Sequence, residues 1–327
     1  MRLTVAVCTW NRASLLEQTL ASLRCARVPA GLSWECLVVA NQCTDGTTSV
    51  AAAARDSLPI RLVHEERLGL SYARNTAVGA ATGDYIIWID DDVLVDPEWL
   101  AEYAAAMRAN PELAFFGGPI RPWFPTPPPA WLAAALPSVG NALSLLDYGS
   151  EPIALDPDRL PYGANFAIRA DFQRRHAYNP LLGRRGTRLR SGEETEVLLG
   201  VLEEGGRGLW VPRAALRHFV SEERQTRRYL RRYYFHNGAG DSLHGYRGAK
   251  RQFLGRPLWL WREAIVNELV YQLRFPFASP AVWGSHLARA TTAWGRLYGV
   301  HDGERERLTD EPSTSAAPAP PEDGIGG

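Results

Sequence analysis

Tyr85-Ile-Ile-Trp-Ile-Asp-Asp-Asp92 decides how this chain folds. Five consecutive apolar residues without polar alternation mark a strand buried on both faces, the pattern of a parallel sheet covered by helices. The three carboxylates that follow are delivered to the end of that strand. Adjacent like charges repel, and a cation that prefers hard oxygen ligands relieves the repulsion; Mg²⁺ or Mn²⁺ bridging to phosphate fits that description. A solvated acidic turn, with Asp96-Pro97 starting the next helix, is the plainer account. The triple aspartate alone does not choose between them.

Outward from this run, short apolar segments recur at 3–8, 35–40, 60–64 and 114–118, separated by stretches with apolar positions three and four residues apart. This β-α-β-α order predicts an α/β fold with a mainly parallel sheet and flanking helices. Ligands of such sheets sit beyond the carboxyl ends of the strands. Three polar clusters fall at such ends: Thr9-Trp-Asn-Arg12, the segment 41–47 and Asp90-Asp-Asp92. They are expected to form one site. Residues 119–137, rich in proline and tryptophan, are expected to make a long, rigid and partly irregular excursion beside it. Regular pattern resumes at 162–169, in a helix over about 194–204 and in a strand near 208–211. The predicted division is a sheet domain over 1–222, an arginine- and aromatic-rich helical extension over 223–302 and a disordered tail over 303–327, which has no apolar face.

Composition narrows the function. The 327 residues are 46% hydrophobic and 22% charged, enough for one large core plus a small appendage. Thirty-six basic and thirty-six acidic side chains cancel, so the footprint of a nucleic-acid binder is missing. Four cysteines in the first 43 residues, with no C-x-x-C spacing, point to a reducing cytosol in place of a disulfide framework or zinc knuckle. The apolar start at 3–8 is too short for a signal-peptide core, and Glu268 and Arg274 interrupt the longest apolar stretch. A cytoplasmic protein that spans no bilayer is expected.

The order and spacing of several motifs make the chain resemble glycosyltransferase family 2, with its GT-A fold. The matching pieces are Val5-Ala-Val-Cys-Thr-Trp-Asn-Arg12, Val38-Val-Ala-Asn-Gln-Cys-Thr-Asp-Gly-Thr47, Gly69-Leu-Ser-Tyr-Ala-Arg-Asn75, Ala81-Thr-Gly-Asp-Tyr85 and Trp88-Ile-Asp-Asp-Asp-Val93. Gly163-Ala-Asn-Phe-Ala-Ile-Arg169, Ser191-Gly-Glu-Glu-Thr-Glu196 and Val211-Pro-Arg-Ala-Ala-Leu-Arg-His218 continue it. The resemblance implies an inverting transfer of sugar from a nucleoside-diphosphate donor to a hydroxyl of a saccharide or lipid-linked acceptor, aided by Mn²⁺ or Mg²⁺. It places Thr9, Asn11, Arg12, Asn41 and Arg74 on the nucleotide sugar. Asp92 becomes the main metal ligand, Asp90 and Asp91 contact ribose or metal-bound water with Asp90 also available to the metal, and His218 offers a further imidazole ligand. Asp45 and Thr47 are assigned to capping the next helix.

An alcohol is a poor nucleophile at neutral pH, so transfer needs a carboxylate to accept its proton. The resemblance points to Gly192-Glu-Glu-Thr195, where the family usually shows Glu-Asp and the second carboxylate is the base. Glutamate in that place is a departure that leaves both Glu194 and Glu193 as candidates. Ala40 is another, since the family usually has Asp there. Each residue also has a bland role: a helix-surface ion pair for Arg74, a structural histidine for His218, a helix N-terminus favouring acids for Glu193 and Glu194.

Rival classes fare worse. No G-x-G-x-x-G follows the first strand, against a dinucleotide-dependent oxidoreductase, and no G-x-x-x-x-G-K-[ST] supports a P-loop enzyme. A catalytically inactive sugar-nucleotide-binding scaffold is the remaining alternative. In the extension, Gly255-Arg-Pro-Leu-Trp-Leu-Trp-Arg262 and Tyr271-Gln-Leu-Arg-Phe-Pro-Phe277 suit either an interfacial helix at the inner face of an anionic membrane or packing against the sheet domain or a second subunit, as in a homodimer.

Overall fold

The computed structural model describes residues 1–183, 192–241 and 251–309. Its first half follows the β-α-β-α pattern: β1 (Arg2–Thr9), α1 (Ala13–Arg24), β2 (Ser33–Asn41), α2 (Thr47–Ala53), β3 (Ile60–Glu65), α3 (Leu70–Ala80), β4 (Tyr85–Asp90), β5 (Val93–Val95) and α4 (Trp99–Ala109). There follow β6 (Phe115–Gly117), β7 (Ile120–Trp123), α5 (Ala130–Val139), β8 (Ala154–Leu155), β9 (Asn165–Arg169), α6 (Ala170–Arg175), α7 (Glu193–Glu203), β10 (Gly208–Trp210) and β11 (Leu216–Phe219).

Among the described residues the main sheet has the order β3-β2-β1-β4-β9-β6-β10-β8. Strands β3, β2, β1 and β4 run parallel, whereas β9 enters antiparallel between β4 and β6. The apolar run of β4 explains its central place. Tyr85, Ile87 and Ile89 join Leu3, Val5 and Val7 under α1 and α4, while Ile86 and Trp88 join Ala6, Val39 and Phe166 under α3 and α7. A strand that buries both faces can only sit between two helical layers.

The register sets the site. Cys8 pairs with Asp90 and Thr9 with Ala40, so β1, β2 and β4 end together. A second sheet of order β5-β11-β7 crosses there. In it His218 faces Val93 on one side and Pro122 on the other, so the 119–137 excursion does reach the aspartate run. That excursion is more regular than its prolines suggest. Pro122 sits in an edge strand, and only Pro119 and residues 124–129 of the excursion lie outside β7 and α5.

The chain divides into two units, one of residues 1–133 and 140–225, the other of 134–139 and 226 onward. The second contains α8 (Arg227–Asp241), a hairpin of β12 (Gln252–Phe253) and β13 (Arg256–Pro257), α9 (Leu258–Arg274) and α10 (Pro280–Thr309). Leu260 and Ala264 of α9 pack on Ala293 and Leu297 of α10. Helix α10 runs to Thr309, through the first residues of the stretch expected to be a disordered tail; 310–327 lie outside the described residues. No described helix is long and apolar enough to cross a membrane.

Candidate active site

Backbone hydrogen bonds hold the aspartate run from below. Thr19 of α1, fully buried, donates its hydroxyl to the carbonyl of Asp91 (2.9 Å) and accepts the Val93 N–H (3.1 Å). The Phe219 N–H donates to the Asp92 carbonyl (2.9 Å), which ties β11 to the same turn. Asp91 and Asp92 are buried in consequence, and Asp90 is half-buried.

Their side chains meet two cationic or potentially cationic groups. His218 Nε2 lies 3.3 Å from Asp92 Oδ1 and 3.6 Å from Asp90 Oδ2. Asp90, Asp92 and His218 thereby bring one ligand atom each within 4.8 Å of one another. Asp92 Oδ1 and His218 Nδ1 are buried without a hydrogen-bond partner. An orphaned carboxylate oxygen beside an imidazole is a donor set that a divalent ion completes, and hard oxygen with one nitrogen suits Mn²⁺ or Mg²⁺. On the other side Arg12 Nη1 donates to Asp92 Oδ2 (2.6 Å) and Asp91 Oδ1 (3.0 Å). Burial opposes the charge on Arg12, but Asp92 and Asp91 outweigh it and hold the guanidinium above its ordinary range. Burial lifts the Asp91 carboxyl to about 7 against the pull of Arg12, with the charges of Asp92 and Asp90 adding to the rise.

The loops after β1 and β2 are laced together. Asn11, with φ of 51°, accepts the Thr44 N–H through Oδ1 (2.7 Å). Asp45 accepts the Thr47 N–H (3.0 Å) and the Ala13 N–H (3.2 Å), so it straps the starts of α2 and α1 together. Thr9 is buried at the end of β1. Asn41 donates to the carbonyls of Glu65 (3.1 Å) and Arg67 (2.7 Å) and accepts the Gly69 N–H (2.8 Å). Its amide shapes the turn into α3.

Arg74 is placed differently from a surface ion pair. It is buried, its Nη1 3.0 Å from Glu193 Oε1 and 3.8 Å from Glu194 Oε2, and its guanidinium carbon lies 5.2 Å from the centre of the Tyr178 ring. Burial disfavours its charge, yet Glu193, Tyr178, Glu194 and Asp90 together keep it firmly protonated. Arg74 thus joins the α7 carboxylates and the aspartate run in one electrostatic neighbourhood. Glu193 is pushed up to about 7 by burial first and the charge of Glu194 second, with Arg74 pulling the other way. Glu194 keeps 17% of its side chain exposed, accepts the Gly163 N–H at Oε1 (3.3 Å) and leaves Oε2 without a hydrogen bond. A Cβ at Gly163 would come to 2.4 Å from Arg74 Nη2, so any larger residue there would displace the guanidinium.

Thr19, Gly163 and Tyr178 escaped the sequence reading as site residues. Gly163 lay inside a quoted motif. Thr19 and Tyr178 carry no local signal, since one is a hydroxyl in a helix and the other follows a short helix.

Residues 4–128 match the family model Glycosyl transferase family 2. Succinoglycan biosynthesis protein ExoM of Rhizobium meliloti is 28% identical over 261 residues, covering 76% of this chain and 79% of that protein. Among solved structures, the mannosyltransferase PcManGT from Pyrobaculum calidifontis in complex with GDP-Man and Mn²⁺ superposes with a TM-score of 0.53 at 18% identity, over 94% of this chain and 76% of the other. S. aureus TarS 1–349 in complex with UDP-GlcNAc gives 0.52 at 14% identity, over 94% and 92%. At these identities the structural likeness concerns the fold.

Proposed function

Since the chain belongs to glycosyl transferase family 2 and is a glycosyltransferase, we propose that it transfers a sugar from a nucleoside-diphosphate donor to a hydroxyl of a saccharide or lipid-linked acceptor, with inversion, in the assembly of a polysaccharide or glycolipid. The catalytic apparatus is assigned to residues 1–222, and 223–302 to a helical extension. The observation that carries this reading is the convergence of Asp90, Asp92 and His218 within 4.8 Å. These residues would hold Mn²⁺ or Mg²⁺, the former being the ion that accompanies GDP-Man in PcManGT. When bound, the ion supplies Lewis-acid stabilisation of the departing diphosphate.

The chain's own groups do the rest. Glu194 offers a carboxylate oxygen that makes no hydrogen bond, and it accepts the acceptor's hydroxyl proton as the new bond to the anomeric carbon forms and the bond to the donor phosphate breaks. One base acting in one direct displacement inverts the centre, whereas retention through a covalent intermediate would require a second carboxylate on the opposite face. Glu193 positions Arg74, whose fixed charge offsets the carboxylates around it. Thr9, Asn11, Arg12 and Asn41 shape the loops where the base and ribose would lie, and Asp91 would contact ribose or metal-bound water.

Thermal stabilisation by a panel of UDP-, GDP- and dTDP-sugars, with and without Mn²⁺, tests this directly. A Mn²⁺-dependent rise with one base, followed by an inverted anomer in the product by NMR, is expected. Stabilisation indifferent to metal, or a retained anomer, would contradict it.

A further inference from the structure

Helix α9 has two faces of unequal standing. Leu260, Ala264 and Tyr271 are buried, and the acids of α9 also turn to α10: Arg296 pairs with Glu263 (3.2 Å), and the Trp294 N–H donates to Glu268 (3.3 Å). The opposite face carries Leu258, Ile265, Val266, Leu269 and Leu273, with Ile265, Leu269 and Leu273 four residues apart and Leu258 two turns before Ile265, all exposed, Leu273 by 72%. Phe253 of the preceding hairpin and Phe277 beyond the helix, 90% exposed, extend the same apolar character at either end. A contiguous run of this kind is unusual on a surface that faces only water.

Charge identifies what covers it. Between residues 251 and 282 the basic side chains are Arg251, Arg256, Arg262 and Arg274, and the acids are Glu263 and Glu268 alone. Arg251, Arg262 and Arg274 are exposed, while neither acid is. A second copy seated on this face would enclose Arg262 and Arg274 with no exposed acid of the same segment to pair them, a costly arrangement. A bilayer with anionic headgroups supplies both an apolar layer for the leucines and phenylalanines and phosphates for the guanidinium groups, which reach the interface on long stems. We propose that the exposed face of α9, with Phe253 and Phe277, docks onto an anionic lipid bilayer surface. The docking is peripheral and independent of the transfer chemistry.

Flotation of the full-length protein with phosphatidylcholine vesicles, and with vesicles containing about 30 mol% phosphatidylglycerol, tests it. Binding to the anionic vesicles is expected, weaker on the neutral ones and weakened by salt. Leu269→Asp combined with Leu273→Asp should lower partitioning by on the order of tenfold or more, because the lost apolar insertion has no substitute. Both positions are exposed, so the variant should keep its melting temperature and its donor turnover to water, which separates failure of docking from failure of the transferase reading. Arg262→Glu should reduce binding to anionic vesicles alone. No flotation, or flotation unchanged by the variants, overturns the proposal, as does a dimer in light scattering that the leucine variant dissociates.

Discussion

His218 Nε2 stands 3.3 Å from Asp92 Oδ1, an oxygen that is buried and makes no hydrogen bond. His218 lies in β11 and Asp92 in the turn between β4 and β5; the pairing of β11 with β5 and the bond from the Phe219 N–H to the Asp92 carbonyl bring the two together. On the proposed reading His218 is a metal ligand, so His218→Ala should weaken the apparent affinity for Mn²⁺ by at least the roughly 10–100-fold that even outer partners of a metal site contribute. Asp92→Ala should abolish metal-dependent donor binding altogether. Titrating Mn²⁺ against donor hydrolysis measures both. A His218→Ala variant with unchanged metal affinity and a lower melting temperature would assign the imidazole to structure alone.

Arg12 holds the same aspartates from the opposite side, 2.6 Å from Asp92 and 3.0 Å from Asp91. Arg12→Ala leaves buried carboxylates without their cation. Its cost should be about 1–2 kcal/mol, less than for a fully enclosed pair because 38% of the Arg12 side chain stays exposed. A divalent ion would replace part of the missing charge, so Mn²⁺ should raise the melting temperature of the variant more than that of the wild type. Equal shifts by differential scanning fluorimetry would show that the two cations do not share these oxygens.

The sheet was legible because β4 buries both faces and because short apolar runs alternate along the chain with helical patterns, the order of a parallel α/β sheet. The end-of-strand clusters were legible for the same reason, as register in a parallel sheet brings carboxyl ends together. What could not be read was which partner each polar group takes. Asn41, matched by motif to base recognition, has its amide committed to three backbone groups, a consequence of where the turn into α3 returns. Arg74 is paired inside the protein with a residue 119 positions away. Thr19 positions Asp91 and Val93 from a helix whose sequence signals only amphipathic packing. The lettering of α9 admitted both an interfacial helix and packing against the sheet domain or a second subunit, since sequence alone does not say which of its faces is buried.

Glu194 should separate binding from chemistry. Glu194→Gln preserves the shape of the side chain and its acceptor oxygen for the Gly163 N–H, but an amide cannot take up a proton. Donor affinity should stay within about threefold while the transfer rate falls by roughly 10²–10⁴, the usual worth of a general base. Isothermal titration with donor and a coupled nucleotide-release assay give the two numbers. Equal loss of both would move the base elsewhere, Glu193 being the next carboxylate.

The Arg74–Glu193 pair carries a pH signature. Glu193 is raised from 4.5 to about 7, by burial and then by Glu194, against the pull of Arg74. Between those two values the folded protein holds a proton that the unfolded chain has released, so this group's contribution to stability is fully present below pH 4.5 and is lost as pH rises through 7. Removing Arg74 sharpens the effect, since the ionised carboxylate then sits buried without its partner. Arg74→Ala should therefore cost about 3–5 kcal/mol at pH 8, the price of breaking an enclosed ion pair, and distinctly less at pH 5, where Glu193 neutralises itself by protonation. Arg74→Lys should recover only part of the loss, because an ammonium lacks the guanidinium fork that reaches Glu193 while standing over the Tyr178 ring. Urea denaturation at the two pH values decides the matter: a deficit of equal size at both would mean that protonation of Glu193 does not set the cost of losing Arg74, which also packs on Tyr178 and Trp88.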